Sequence, residues 1–237
     1  MTGEKMKLFL ASQDLGNYAE VLKRMVGEKK HAFVISNARD YYGDEVRIAD
    51  SVKKTIVNLN NISIEAERLD LKSYFGKQQQ LADLIKQKQS GLIFSIGGSV
   101  ACLATALHAS GLDEIIRQGT ASGDFVYGGY SAGAMVAGND LSLYELDAKP
   151  SRAVPRNCVT NVTREIYNLA PRQQGLGLIS QYILPHMDRD DHIEAMRERL
   201  TKIRRAGVEA ICLNDSDVFI VDGNTAEALK AELPTTR

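Results

Sequence analysis

Tryptophan is absent from this chain of 237 residues, and cysteine, histidine and proline are scarce, at 3, 4 and 5 copies. Cys102, Cys158 and Cys212 are odd in number, far apart and in no C-x-x-C pair. That pattern argues against a disulfide framework and a zinc site, and suits thiols packed as small apolar groups in a reducing cytoplasm. Charge of either sign is also lacking in excess: 29 basic against 30 acidic residues leave a formal net charge of -1. Bulk attraction to nucleic acid or to a membrane surface is therefore not expected. No apolar run approaches a bilayer span, and no signal-type apolar region opens the chain.

What remains is globular: 44% hydrophobic and 25% charged residues over a length that buries a substantial core. Leu8-Phe9-Leu10, Lys30 to Ile35, Ile62 to Leu69 and Leu92-Ile93-Phe94 read as strands. Tyr18, Val21, Leu22 and Met25 recur at helical spacing. A second helix is expected from Asp44 to about Val57 with Val46, Ala49, Val52 and Ile56 on one face, and a third over Gln78 to Gln87. Alternation at this spacing predicts βαβ units and one α/β domain over 1–237, a mostly parallel sheet between helical layers. From Gly138 to Leu178 the pattern weakens into a proline- and arginine-bearing excursion with one short helix near Arg164–Leu169. Beyond it, Tyr182-Ile183-Leu184, Val208 to Leu213 and Val218 to Val221 read as strands. A helix is expected over Asp191 to Arg205, and a turn at Asp222-Gly223-Asn224.

Ligands in open α/β sheets bind beyond the carboxyl ends of the strands. Two glycine loops sit there, Gly97-Gly98-Ser99 and Gly129-Tyr130-Ser131-Ala132-Gly133. The second has the G-x-S-x-G spacing that turns a strand sharply into a helix and holds the serine hydroxyl outward. The Ala132 amide then faces a developing oxyanion from a helix N-terminus. The bland alternatives are that Ser131 and Ser99 simply cap helices.

A serine needs a base, usually a histidine oriented by a carboxylate. His31 opens a strand and His108 lies within a helix, so both read as structural. His186 follows Tyr182-Ile183-Leu184 directly and is favoured by position; His192 heads a charged helix. For the acid, Asp215 sits at a strand exit, with Asp188 and Asp217 as competitors and turn formation as the alternative for each. The order Ser, His, Asp differs from the Ser, acid, His order of α/β-hydrolase esterases, which would draw on Asp147 or Asp188 and on His192.

Together these segments resemble the peptidase E (aspartyl dipeptidase) family of serine peptidases, to which cyanophycinases are related. The resemblance rests on Ser95-Ile96-Gly97-Gly98-Ser99, the elbow Gly128-Gly129-Tyr130-Ser131-Ala132-Gly133-Ala134, Pro185-His186 and Leu213-Asn214-Asp215-Ser216. It implies a flavodoxin-like or class I glutamine-amidotransferase-like sandwich. Ser131 would be the nucleophile, His186 the base and Asp215 the acid, with Gly98 and Ala132 amides as oxyanion hole and no cofactor or metal. The implied partner is a short peptide, with nucleic acid and membranes excluded and a homodimer left open. Ser99 is a candidate substrate contact, and an acidic substrate would call for a guanidinium, for which Arg152, Arg156, Arg164 and Arg172 are the candidates. The chain departs from the family in having Ser99 for asparagine, Asp215 for the dipeptidase's glutamate, and a longer segment between Ser131 and His186. A non-catalytic binding protein or sensor of the same fold is the reading from another class.

Overall fold

Unbroken apolar runs such as Leu8-Phe9-Leu10 and Leu92-Ile93-Phe94 suit strands covered on both faces. A computed structural model, which describes residues 5–144 and 161–230, places them so. Strands β1 (Lys7–Ala11), β2 (His31–Ile35), β3 (Glu65–Leu69), β4 (Leu92–Ser95) and β5 (Val126–Tyr130) are mutually parallel, in the order β3-β2-β4-β5-β1. A separate parallel pair joins β6 (Tyr182–Leu184) to β7 (Ala210–Cys212). The main sheet is completed beyond β1 by β8 (Val218–Asp222) and β9 (Thr225–Leu229), an antiparallel hairpin.

Successive residues of a strand point to opposite faces, so each strand feeds two cores. Phe9, Ala32, Val34, Leu92 and Phe94 pack with Leu22 and Met25 of α1 (Ala19–Val26) and Val52 and Leu59 of α2 (Glu45–Asn61). On the other face, Leu8, Leu10, Phe33, Ile35, Ile93 and Tyr127 meet α3 (Gln78–Gln87), α4 (Val100–Ser110), α5 (Leu112–Ser122) and α6 (Ala132–Met135). Also in this layer lie Met196 and Ile203 of α8 (Ile193–Arg205). The short α7 (Asn161–Tyr167) ties back to the turn after β2 through the Tyr167 hydroxyl, which donates to Asp40 at 2.6 Å. This is the expected α/β sandwich with a mostly parallel sheet.

Two local expectations need correction, and one helix is additional. The buried stripe of α2 is Ile48, Val52, Thr55 and Leu59, whereas Val46 is 72% exposed and Ala49 also faces solvent. Asp44 caps the helix through the amides of Val46 and Arg47, which leaves Val46 in the outer first turn. The strand expected from Ile62 begins only at Glu65, because Ile62 closes α2 and Ser63 takes φ 64°. The α5 helix was not anticipated.

The glycine after the elbow is fixed by close approach. A Cβ on Gly133 would stand 2.1 Å from the Ser95 carbonyl oxygen at the end of β4. Gly133→Ala should therefore cost about 1–3 kcal/mol of stability by overpacking, read as a lower midpoint of chemical denaturation.

Candidate active site

β4 and β5 are neighbours in register, Ser95 opposite Gly129, so both glycine loops open on one edge of the sheet. Ser131 leaves β5 at φ 52°, ψ -115°, a strained region for a residue with a Cβ. Its amide donates to the carbonyls of Ala11 and Ser12 at 3.1 Å each, and its carbonyl accepts from Ala134 and Met135 to start α6. Its side chain makes no capping hydrogen bond, so the capping alternative is not the arrangement found.

The hydroxyl meets an imidazole instead. His186 Nε2 lies 3.0 Å from Ser131 Oγ, and His186 Nδ1 lies 2.5 Å from Asp215 Oδ1. Both contacts are within hydrogen-bonding range. His186 is 8% exposed and adopts φ 61°, so its backbone is also bent at the exit of β6. The β7–β8 loop delivers Asp215. That loop enters β8 at Val218, which pairs with Ala11 at the carboxyl end of β1. The competing aspartates hold the turns: Asp188 accepts from the Asp215 amide at 2.8 Å, and buried Asp217 accepts from the Asn214 amide at 2.9 Å. Asp147 lies outside the described residues.

The other histidines are engaged elsewhere. His31 contacts Glu67 at 3.0 Å, and His108 contacts Asp113 at 3.1 Å. His192 stacks on His186, ring centroids 5.2 Å apart, and it is the His186 ring that meets the Ser131 hydroxyl.

Gly98 carries φ 151°, and a Cβ there would sit 2.2 Å from the Ala38 carbonyl oxygen. Only glycine fits that approach. No acceptor is found for the Gly98 or the Ala132 amide among the described residues. Ser99 departs from its expected role as a substrate contact. It is fully buried, its hydroxyl accepts from the Cys102 amide as the N-cap of α4, and it does not line the cavity.

One residue that sequence reasoning passed over ties the loops together. Ser12, fully buried just after β1, accepts from the His186 amide at 2.8 Å through Oγ and donates to the Leu213 carbonyl at 3.4 Å. Its amide donates to Asp217 at 3.1 Å. The only signal was its place at a strand exit. Ser12→Ala leaves the His186 amide unsatisfied, a cost of about 1–3 kcal/mol. Purified Ser12→Ala should unfold at lower denaturant and turn over more slowly than wild type.

A cavity of about 470 Å³ opens over Ser131 and His186. Of the arginines expected from the excursion, the two that are described, Arg164 and Arg172, do not line it. Arg164 is exposed on α7, Arg172 pairs with Gln174, and Arg152 and Arg156 lie outside the described residues. Among the described residues, the cavity's cations are Arg39, Lys54, Arg189 and Arg199. Arg39 donates to the Tyr42 hydroxyl, Lys54 pairs with Asp14 at 2.9 Å, and Arg189 pairs with Asp191 at 2.6 Å. Arg199 differs. It is only 4% exposed, and its sole hydrogen-bond partner among the described residues is the sulfur of Met196 at 3.9 Å. Sequence reasoning missed it because α8 reads as a charged, solvated helix.

Among the described residues no group of three His, Cys, Asp or Glu could hold a metal, and no helix is long and apolar enough to cross a membrane. Cys102 is buried, which pushes its thiol up to about 12, and Cys212 is raised by partial burial. Neither thiol has the depressed pKa of a reactive cysteine. Cys158 lies outside the described residues.

A serine on an elbow above a mostly parallel sheet, with an imidazole in reach, is the arrangement of a serine-type hydrolase, here on a flavodoxin-like sandwich. The family model for Peptidase family S51 matches residues 13–229, and the chain belongs to that family of serine peptidases. Among solved structures it is similar to a "Putative Peptidase E Protein" from Listeria monocytogenes EGD-e, at 17% identity and TM-score 0.71 over 96% of this chain and 99% of that one. It is also similar to a peptidase from an acI-B1 Actinobacterium, at 17% identity and TM-score 0.65 over 97% and 96%. These likenesses establish the fold. No curated protein matches the chain.

Proposed function

We propose that this peptidase is a serine exopeptidase that hydrolyses short peptides through Ser131, His186 and Asp215. The observation that carries the reading is the pair of contacts on one imidazole, 3.0 Å to Ser131 Oγ and 2.5 Å to Asp215 Oδ1. Asp215 fixes the tautomer that leaves Nε2 free to accept the serine proton. As His186 takes that proton, Ser131 Oγ attacks the peptide carbonyl, and the oxyanion falls to the amides of Gly98 and Ala132. His186 then gives its proton to the leaving amine as the C–N bond breaks. Water, deprotonated by the same ring, cleaves the ester and restores the serine. No metal or organic cofactor enters this sequence.

A buried guanidinium that forms no ion pair among the described residues favours a substrate that brings a carboxylate. Arg199 therefore supports a peptide with an acidic group, which fits dipeptides with N-terminal aspartate. The test is hydrolysis of a dipeptide panel with aspartyl, asparaginyl and neutral N-termini, followed by release of free amino acid. Cleavage of the aspartyl members above the others is expected. Indifference to the charge would remove the acidic preference, and failure to cleave any short peptide would remove the exopeptidase reading.

A further inference from the structure

Two edges of the His186 ring are pinned, Nδ1 by Asp215 and Nε2 by Ser131, but its faces need support as well. His192 supplies it. The segment from His186 to His192 folds back as successive turns, with Arg189 N donating to the His186 carbonyl and His192 N to the Arg189 carbonyl. That brings the His192 ring against the His186 ring with an interplanar angle of 28° and centroids 5.2 Å apart. His192 also lines the cavity.

We propose that His192 is a positioning residue for the reaction, holding the His186 ring in the plane that joins Asp215 to Ser131. This rests on the catalytic reading given above for His186. The same stack makes the charge state of His192 matter. When His186 takes the serine proton it becomes a cation, and a second cation stacked on it would oppose that step. The surroundings keep His192 neutral to lower pH than a free imidazole. Burial pushes its pKa down, and Arg189 and His186 act in the same direction. Asp191, whose Oδ2 is 3.7 Å from His192 Nε2, and Asp215 on the β7–β8 loop act against it. Arg189 holds Asp191 through Nε and Nη2 and so offsets its charge. Among the described residues, the remaining charges on the cavity wall are Arg39 after β2, Asp14 after β1, Asp50 and Lys54 on α2, and Arg199 on α8.

The experiment is the pH dependence of kcat/KM for peptide hydrolysis, from about pH 5 to pH 9, in wild type, His192→Phe and His192→Ala. Wild type should lose activity on the acid side with a limiting slope approaching two, since a proton on either ring opposes the reaction. His192→Phe keeps a flat ring and removes the charge, so its acid limb should have a slope of one. His192→Ala removes the packed face and should lower kcat at neutral pH about tenfold, more than the phenylalanine variant, because misplaced catalytic groups lose rate steeply. Superimposable acid limbs in all three proteins, or equal kcat in the two variants, would overturn the proposal. Ser131→Ala and His186→Ala run alongside: full activity in either would instead sink the catalytic reading, and this proposal with it.

Discussion

Ser131→Ala is expected to abolish peptide hydrolysis, lowering kcat by about 10⁴-fold or more, while the protein folds as wild type. The Ser131 hydroxyl stands 3.0 Å from His186 Nε2, the base proposed to take its proton. Its removal also costs the fold little, since the side chain caps no helix. A strained residue at φ 52° is held by the backbone, through the Ala11 and Ser12 carbonyls and the start of α6, and alanine keeps all of those bonds. Initial rates with the best dipeptide, beside a denaturation curve, separate the two effects. His186→Ala should lose activity to a similar degree, because residues acting as a unit fail together.

The second large effect is expected at Arg199. Arg199→Leu should lower kcat/KM for an acidic dipeptide about 10- to 100-fold, the scale of one charge-assisted hydrogen bond lost, and change a neutral dipeptide little. Stability should not fall with it. A buried guanidinium that forms no ion pair among the described residues is a liability to the unliganded fold, and an apolar side chain of similar reach removes that liability. A melting temperature at or above that of wild type, together with lost discrimination between acidic and neutral peptides, is the predicted signature. Equal losses on both substrates would assign Arg199 to packing alone.

The parts of this site that could be read from the sequence are those with local geometric demands. An elbow needs glycines around its serine, and here Gly133 is required by the Ser95 carbonyl 2.1 Å from where its Cβ would stand. His186 and Asp215 follow apolar runs at strand exits, and strand exits are where an open sheet gathers its chemistry. Strands covered on both faces announce themselves by unbroken apolar runs, so β1, β2 and β4 were visible. The features that stayed hidden depend on partners distant in sequence. Arg199 is buried only because α8 docks against the sheet layer, and its own helix reads as solvated. Ser12 looks like any loop serine until the β6 and β7 exits close on it. Both Val46 and Ile48 belong to stripes of helical spacing, and only the position of the Asp44 cap and the packing of α2 decide which stripe is inside. Ser99 was legible as a helix cap and as a substrate contact, and the described structure uses its hydroxyl as the cap.

Covalent capture of one particular hydroxyl is the sharpest check on this picture. Intact and peptide-level mass spectrometry after treatment with a fluorophosphonate should find a single adduct, carried by Ser131 and missing when His186 is changed to alanine. An unmodified protein, or an adduct on some other side chain, would contradict it.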